Sequence, residues 1–324
     1  MRFRFRLFIV AAALASHGVV HAQGQAYPTR LIRMIVTSAP GSSPDVMARI
    51  VADQVSRTIG QSMIVENRLG AGGNIGVAFV AKSAPDGYTL VLTTVGPITI
   101  SRWVTKEMLF DPLNDVIAVA PVAELPNVIA IYDKIPARDL KEFIAYAKNN
   151  PGKIDYGSAG NGTILHLAAE MFGQFTGISM THIPYKGGGP AAIDLGAGRI
   201  HLAFLGTASM QAQLAAGQVR ALAVASKQRL AALPNVPTFE QAGITGFDVT
   251  NWFGVLAPRG TPRDIVQKLN NHIGQVFDHP AVIERFTAGG MLPMKESPED
   301  FQKRIIADDK KWRDIVRSAG IKPE

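Results

Sequence analysis

Two short loops carry residues whose types and spacing could hold an anion. The first is Ala39-Pro40-Gly41-Ser42-Ser43-Pro44-Asp45, and the second is Gly157-Ser158-Ala159-Gly160-Asn161-Gly162-Thr163. Each lies between an apolar run of strand type and a segment of helical periodicity. Each therefore sets backbone N–H groups and the positive end of a helix dipole beside the C-terminal end of a strand. Gly41 lets the backbone come close to a ligand, and Ser42 and Ser43 add hydroxyls. In the second loop three glycines, two hydroxyls and one amide suit a turn wrapped around carboxylate oxygens. Either loop alone also fits an ordinary turn closed by a Ser or Thr cap. Two of them in separate halves of the chain strengthen each other, because α/β sheets bind ligands beyond strand C-terminal ends.

Other chemistry is poorly supported. Gly70-Ala71-Gly72-Gly73-Asn74-Ile75-Gly76 invites a dinucleotide reading, but Ile75 stands where the third glycine belongs, so a structural role is expected. Neither G-x-x-x-x-G-K-[ST] nor H-E-x-x-H occurs, and Tyr156 replaces the first glycine of a nucleophile elbow. His166 and Glu170 are four apart on an expected helix, yet two ligands without a third do not make a metal site. His166 is expected to line the cleft or pack locally, and His182 to be structural. Trp252 and Phe253 are expected in the core or hinge. No catalytic residue, cofactor or metal is expected. With no cysteine, disulfides, thiol chemistry and a lipid-modified cysteine are excluded.

The elements that must position the loops follow from periodicity. Leu31 to Val36, Met63 to Val65 and Leu90 to Leu92 are expected strands. So are Val128 to Tyr132, Ile154 to Tyr156, Ile200 to Phe204 and Val219 to Ala225. A helix is expected over Pro44 to Ile59, where Met47, Val51, Val55 and Ile59 recur at four-residue steps with Ile50 beside them. Ser43 is its expected cap, and Pro44 suits its first turn. Further helices are expected over Gly76 to Lys82, Asp139 to Lys148 and Ile164 to Phe175. Cap-plus-proline signals at Thr261-Pro262 and Ser297-Pro298 open two more, to Phe277 and Ser318. Strands alternating with helices imply α/β bodies, each a mostly parallel sheet flanked by helices. The two stretches suggest two similar lobes joined by ordered strands.

The bulk numbers fit an exported globular protein. The chain has 324 residues, 47% hydrophobic and 18% charged, enough for two domains and a sizeable core. Arg2, Arg4 and Arg6 precede an apolar run from Leu7 to Ala15, and Val20-His21-Ala22 fits a small-x-small cleavage pattern. Residues 1–22 are therefore expected to be a signal peptide, cut after Ala22, with the mature chain in the periplasm. The run is far short of the roughly 20 residues that span a bilayer. The formal charge of +7 shrinks once those three arginines are removed, and no basic stretch with interleaved aromatics points to nucleic acid.

Several segments in order resemble one family. They are Tyr27-Pro28, the Pro40-Gly41 loop, Val65-Glu66-Asn67-Arg68, Gly70 to Gly76, Ala84 to Leu90, Tyr156 to Gly162, Pro184-Tyr185-Lys186-Gly187 and Trp252-Phe253-Gly254. The chain is similar to Bug/TctC-type receptors, the extracytoplasmic solute-binding component of tripartite tricarboxylate transporters. That resemblance implies a type II-like Venus flytrap. Lobe 1 would take 27–122 plus 249–324, and lobe 2 would take 123–248. It implies a small mono- or dicarboxylate as ligand, membrane permease subunits as partners, and a monomeric receptor. Carried over, Ala39, Pro40, Gly41, Ser42, Ser43 and Asp45 line one wall. Ser158, Ala159, Gly160, Asn161, Gly162, Thr163 and His166 line the other. The family often has Phe-Asp-Asn after the strand ending at Phe204, where this chain has Leu205-Gly206-Thr207. These three are also expected at the ligand, and the missing acid argues for a ligand without an amino group and with an apolar part near Leu205. The alternatives are a ligand sensor feeding a signalling protein and an exported α/β enzyme acting on an organic acid.

Overall fold

The computed structural model describes residues 27–38, 40–185, 187–249 and 251–323. The expected signal peptide and its cleavage point lie outside the described residues, as does Ala39. Two α/β lobes are built in alternation. The first begins with β1 (Ile32–Val36), α1 (Ser43–Ile59), β2 (Met63–Asn67), α2 (Asn74–Ala81) and β3 (Thr89–Thr94). A π-helical turn over Gly96–Ile100 and α3 (Ser101–Val104) lead to β4 (Val116–Glu124). The second holds β5 (Asn127–Tyr132), α4 (Leu140–Lys148), β6 (Asp155–Ser158), α5 (Ile164–Thr176) and β7 (Thr181–Pro184). It continues with α6 (Gly188–Gly196), β8 (Leu202–Gly206), α7 (Thr207–Ala215) and β9 (Val219–Val224). The chain then returns to the first lobe through β10 (Trp252–Pro258), α8 (Arg263–Gln275), α9 (Pro280–Ala288), β11 (Leu292–Pro293) and α10 (Pro298–Ser318).

The strand orders are β11-β4-β10-β3-β1-β2 and β7-β6-β8-β5-β9. β1 pairs in parallel with β2 and β3, and β6 with β7 and β8. Both sheets are nevertheless mixed, which amends the expected parallel pattern. β10 runs against β3 and β4, β5 runs against β8 and β9, and β11 runs against β4. The reason lies in the crossings. β4 ends at Glu124 and β5 starts at Asn127, so the chain enters the second sheet from the same edge at which β6 and β8 end. A strand entering from that edge must run backwards, and β10 does so on the way home. The two crossings lie side by side, with the Leu125 N–H donating to the Asn251 carbonyl at 2.9 Å.

Local chemistry explains the helices. Met47, Ile50, Val51, Val55 and Ile59 are all buried, so the four-residue repeat of α1 is its core face. Its cap position falls on Ser42 rather than Ser43, and Ser42 Oγ bonds Ser38 Oγ instead of a helix amide. Thr163 caps α5 by accepting from the His166 N–H, and Ser297 caps α10 by accepting from the Asp300 N–H. Thr261 does not cap α8, because its hydroxyl donates to the Pro258 carbonyl at 2.8 Å and Pro262 takes the cap position. β4 was hidden in the sequence by Pro121, which sits where the register with β10 shifts, a place where a strand tolerates a missing N–H.

Trp252 is fully buried, edge-on to Phe301, and donates Nε1–H to Asp308 of α10 at 2.7 Å. α10 also packs against α5 of the other lobe, where Ser318 Oγ meets Gln174 Oε1 at 3.0 Å. Among the described residues no helix is long and apolar enough to cross a membrane.

Candidate functional site

The loop after β6 is wound around one carbonyl. The Gly160 carbonyl accepts from Thr163 Oγ1 at 2.8 Å and from Ser158 Oγ at 3.1 Å, while the Gly160 N–H donates back to Ser158 Oγ. Positive φ at Gly160 (129°) and Gly162 (68°) lets the chain make this turn without the steric cost of a Cβ. Behind the loop stands a stack of three rings. His166 lies 3.9 Å from His182, nearly parallel, and His182 lies 4.9 Å from Tyr156. The Gly162 N–H donates to His166 Nδ1 at 3.0 Å, and His182 Nε2 sits 2.7 Å from Ser158 Oγ. Tyr156 donates its hydroxyl to Glu170. Burial, and then the neighbouring His182, push the His166 ring down to about 4, and burial does the same to His182. Both rings are therefore neutral at ordinary pH, as acceptance of an N–H by His166 Nδ1 requires.

The loop after β1 is fixed differently. Asp45 is 2% exposed and accepts from the Gly41 N–H (2.9 Å), from Arg49 (2.9 and 3.0 Å) and from Asn67 Nδ2 (2.8 Å). Burial alone would raise its pKa, but these bonds to Arg49, Gly41 and Asn67 hold it at about 2. Asp45 is thus a charged clamp on the Pro40–Ser43 turn, with its described contacts directed to the protein itself.

A cavity of about 530 Å³ opens between the lobes. The first lobe supplies Ala71, Gly72 and Asn74 before and at the start of α2, then Thr94 at the end of β3, Gly96 and Pro97 after it, then Ser101, Val104 and Thr105. The crossings supply Leu125, Asn127 and Asn251. The second lobe supplies Ala159, Asn161, Gly162, Thr163, Ile164 and Leu165, with Gly188, Gly206 and Ser209. None of these side chains bears a formal charge. Electropositive character comes instead from four helices that each lend the wall a residue at or near their start: α2, α5, α6 and α7. Gly73, Gly187 and Gly206 stand at the cap position of three of them and offer no side-chain acceptor to the first turn, although the Asn74 N–H of α2 donates to the Ala71 carbonyl.

Of the residues expected at the site, Ala159, Asn161, Gly162, Thr163 and Gly206 are on this wall. Ser158, Gly160 and His166 stand behind it as supports. Leu205 is fully buried in the second lobe's core, packed under the start of α6, because alternation along β8 turns it away from the crossing. Thr207 lies against Gly290 of the first lobe. Pro40, Gly41, Ser42, Ser43 and Asp45 sit on the neighbouring turn, outside this lining. Missed by sequence reasoning were Asn74, Thr94, Ser101, Asn127, Ser209 and Asn251. Thr94 ends a strand and could have been found by that rule. Asn74 sits in the glycine loop given a structural role. That role is also real, since a Cβ on Gly76 would meet the Arg68 carbonyl at 2.8 Å.

The lobes touch at the mouth. A Cβ on Gly162 would fall 2.7 Å from Val104 Cγ2 in the other lobe. Such a two-lobed chamber, with no charged side chain among its described lining residues, suits a solute receptor, and comparison with known proteins agrees. The family model described as the tripartite tricarboxylate transporter family receptor, TctC, matches residues 47–321. The chain belongs to this receptor family. The receptor is 35% identical over 317 residues to the protein BugT of Bordetella pertussis, strain Tohama I, covering 98% of this chain and 96% of BugT. It superposes with TM-score 0.77 and 41% identity on a structure described as a periplasmic transporter, covering 92% of this chain and 99% of that one. With R. palustris Rpa4515, solved with adipate, the TM-score is 0.78 and the identity 34%, over 92% of this chain and all of that one. The receptor is a binding protein rather than an enzyme. Receptors of this family bind small carboxylates and work with a transporter.

Proposed function

We propose that this receptor closes its two lobes on a small mono- or dicarboxylate and delivers it to the membrane permease of a tripartite transporter. It works as a monomer in the periplasm after losing residues 1–22. The lobes that move are 27–122 with 249–324, and 123–248, hinged at the paired crossings beside Leu125 and Asn251. One observation carries this reading: a chamber between the lobes with no charged wall residue among the described residues, ringed by the starts of four helices. Such a wall favours an anion through dipoles and amides, each helix contributing roughly 0.3–1 kcal/mol and each charge-assisted hydrogen bond roughly 1.5–3 kcal/mol. A few of these offset the cost of immobilising a ligand and reach about −8 kcal/mol, or micromolar affinity. The adipate held by the R. palustris relative supports the choice of carboxylate. Because both lobes supply wall residues, a ligand touches all of them only when the lobes are together, and closure follows as a population shift.

The test is calorimetric titration of the purified mature receptor with mono- and dicarboxylates of four to six carbons, beside their uncharged amides. Micromolar binding of an acid, with its amide at least a hundredfold weaker, is expected. Equal binding of acid and amide, or binding of no acid, overturns the reading.

A further inference from the structure

A second cavity, of about 360 Å³, lies behind the hinge. Its lining shares no residue with that of the front chamber described above. Glu124, the last residue of β4, lines the back cavity, while the next residue, Leu125, lines the front chamber. Neighbours in an extended chain point to opposite faces, so the two spaces lie on opposite sides of the paired crossings. Both lobes build the back cavity: Glu124 and Arg304 of α10 come from the first, Lys227, Phe239 and Phe247 from the second. A hinge widens behind as it closes in front. Gly162 meets Val104 across the front mouth, so the back cavity has this volume with the lobes together, and parting them would narrow it.

Its charges say what the guest carries. Glu124 is partly buried, and among the described residues its carboxylate has neither a hydrogen bond nor an ion pair. The deeper Asp45, Asp308 and Asp309 each accept a bond, from Arg49, Trp252 and Trp103. Burial pushes the Glu124 carboxyl up, against the pull of Arg304 and Lys227. Arg304 is itself committed to Glu296. An unpaired carboxylate thus faces space that a guest can enter, and a cation completes it. Among the described residues no group of three His, Asp or Glu side chains is placed to hold a metal ion, so the cation is organic. Lys227, on the other lobe, also has no ion pair among the described residues and suits an anionic end. Phe239 and Phe247, stacked at 4.1 Å, give the wall an apolar part. We propose that the back cavity binds a small apolar amino acid as its zwitterion, ammonium on Glu124 and carboxylate on Lys227. Bridging the lobes, the zwitterion holds them together and so tightens carboxylate binding in front, and the coupling is reciprocal. The back site stands on its own lining; the coupling rests on the front chamber being the carboxylate site.

The experiment is calorimetric titration of the mature receptor with leucine and phenylalanine, beside isoamylamine and phenethylamine, which lack only the carboxylate. At least one amino acid binds about tenfold tighter or more than its amine. Glu124→Gln and Lys227→Ala each weaken it about tenfold or more, and leave the tightest acid of the carboxylate panel within about threefold of wild type. Saturating amino acid tightens that acid about threefold or more in the wild type and in neither variant. No binding of either amino acid, binding no tighter than the amine, or binding that both variants leave unchanged overturns the proposal; the last result places the amino acid in the front chamber. An acid affinity indifferent to bound amino acid overturns it as well. Lys227 is exposed, so its variant decides even where Glu124→Gln fails to fold. If no carboxylate binds, the proposed function falls, and the amino acid titrations still decide the back site.

Discussion

Gly162→Ala separates the cost of a backbone shape from the cost of closing the lobes. Gly162 has φ +68°, and a Cβ there would lie 2.7 Å from Val104 Cγ2 and 3.1 Å from Val104 Cβ. The left-handed backbone costs an alanine about 1 kcal/mol wherever the loop keeps its shape, with the lobes apart or together. For a chain of this size that is a fall in Tm of roughly 2–4 °C. The contact with Val104 is different, because it exists only when the lobes meet. Carbon atoms prefer about 3.5–4.0 Å, so the loop must retreat by close to an ångström. Overpacking of this kind costs about 1–3 kcal/mol, which weakens ligand binding by roughly 5- to 150-fold. Adding Val104→Ala removes the obstructing methyls. The double variant should regain affinity to within about threefold of wild type while keeping the lowered Tm, because only the steric part is relieved. Calorimetry with the tightest acid of the panel and thermal melting of each variant read the two effects separately. A folded Gly162→Ala receptor with wild-type affinity, or a double variant that binds no better than the single one, would refute the argument.

Three further outcomes follow from the same contacts. His166 and His182 titrate near 4 in the fold against 6.5 in the open chain, so the unfolded state takes up protons first. Stability should fall as pH drops from about 6.5 to about 4 and then level off, by up to about 3 kcal/mol for the well-buried His166. Melting curves across that range, flattened in His166→Gln, check it. Asp45 behaves in a lower window: its contribution is complete above the ordinary aspartate value of 3.8 and is lost as pH falls toward about 2. Asp45→Asn at pH 7 should cost about 1–3 kcal/mol in urea unfolding, since Arg49 and the Gly41 N–H lose a charged acceptor. Gly254→Ala would set a Cβ 2.3 Å from Phe301 Cζ and 3.1 Å from the Ala120 carbonyl. It should destabilise by about 1–3 kcal/mol or more, with partial rescue by Phe301→Leu; wild-type urea unfolding of the single variant would contradict the close packing of α10 on β10.

Much of the architecture was legible because its signals are local. The four-residue repeat of Met47, Val51, Val55 and Ile59 and the Ser297-Pro298 start of α10 are written in neighbouring residues, and no distant partner had to be known. The turn from Ala159 to Thr163, which lies on the cavity wall, was legible for the same reason: a glycine-rich stretch between a strand and a helix has few other shapes. Tertiary structure decided what local signals cannot carry. β5 and β10 run backwards because the chain crosses between lobes, which is a fact of topology rather than of residue type. Asn74, Asn127, Ser209 and Asn251 come from four distant segments, and no spacing rule joins them until two sheets face each other. His166 and Leu205 were expected at the ligand, but strand alternation and the ring stack with His182 put them behind the wall. Sequence alone fixed which segments could present amides to an anion. The packing of one lobe on the other decided which of those amides share a chamber, because contact between lobes depends on the whole path of the chain.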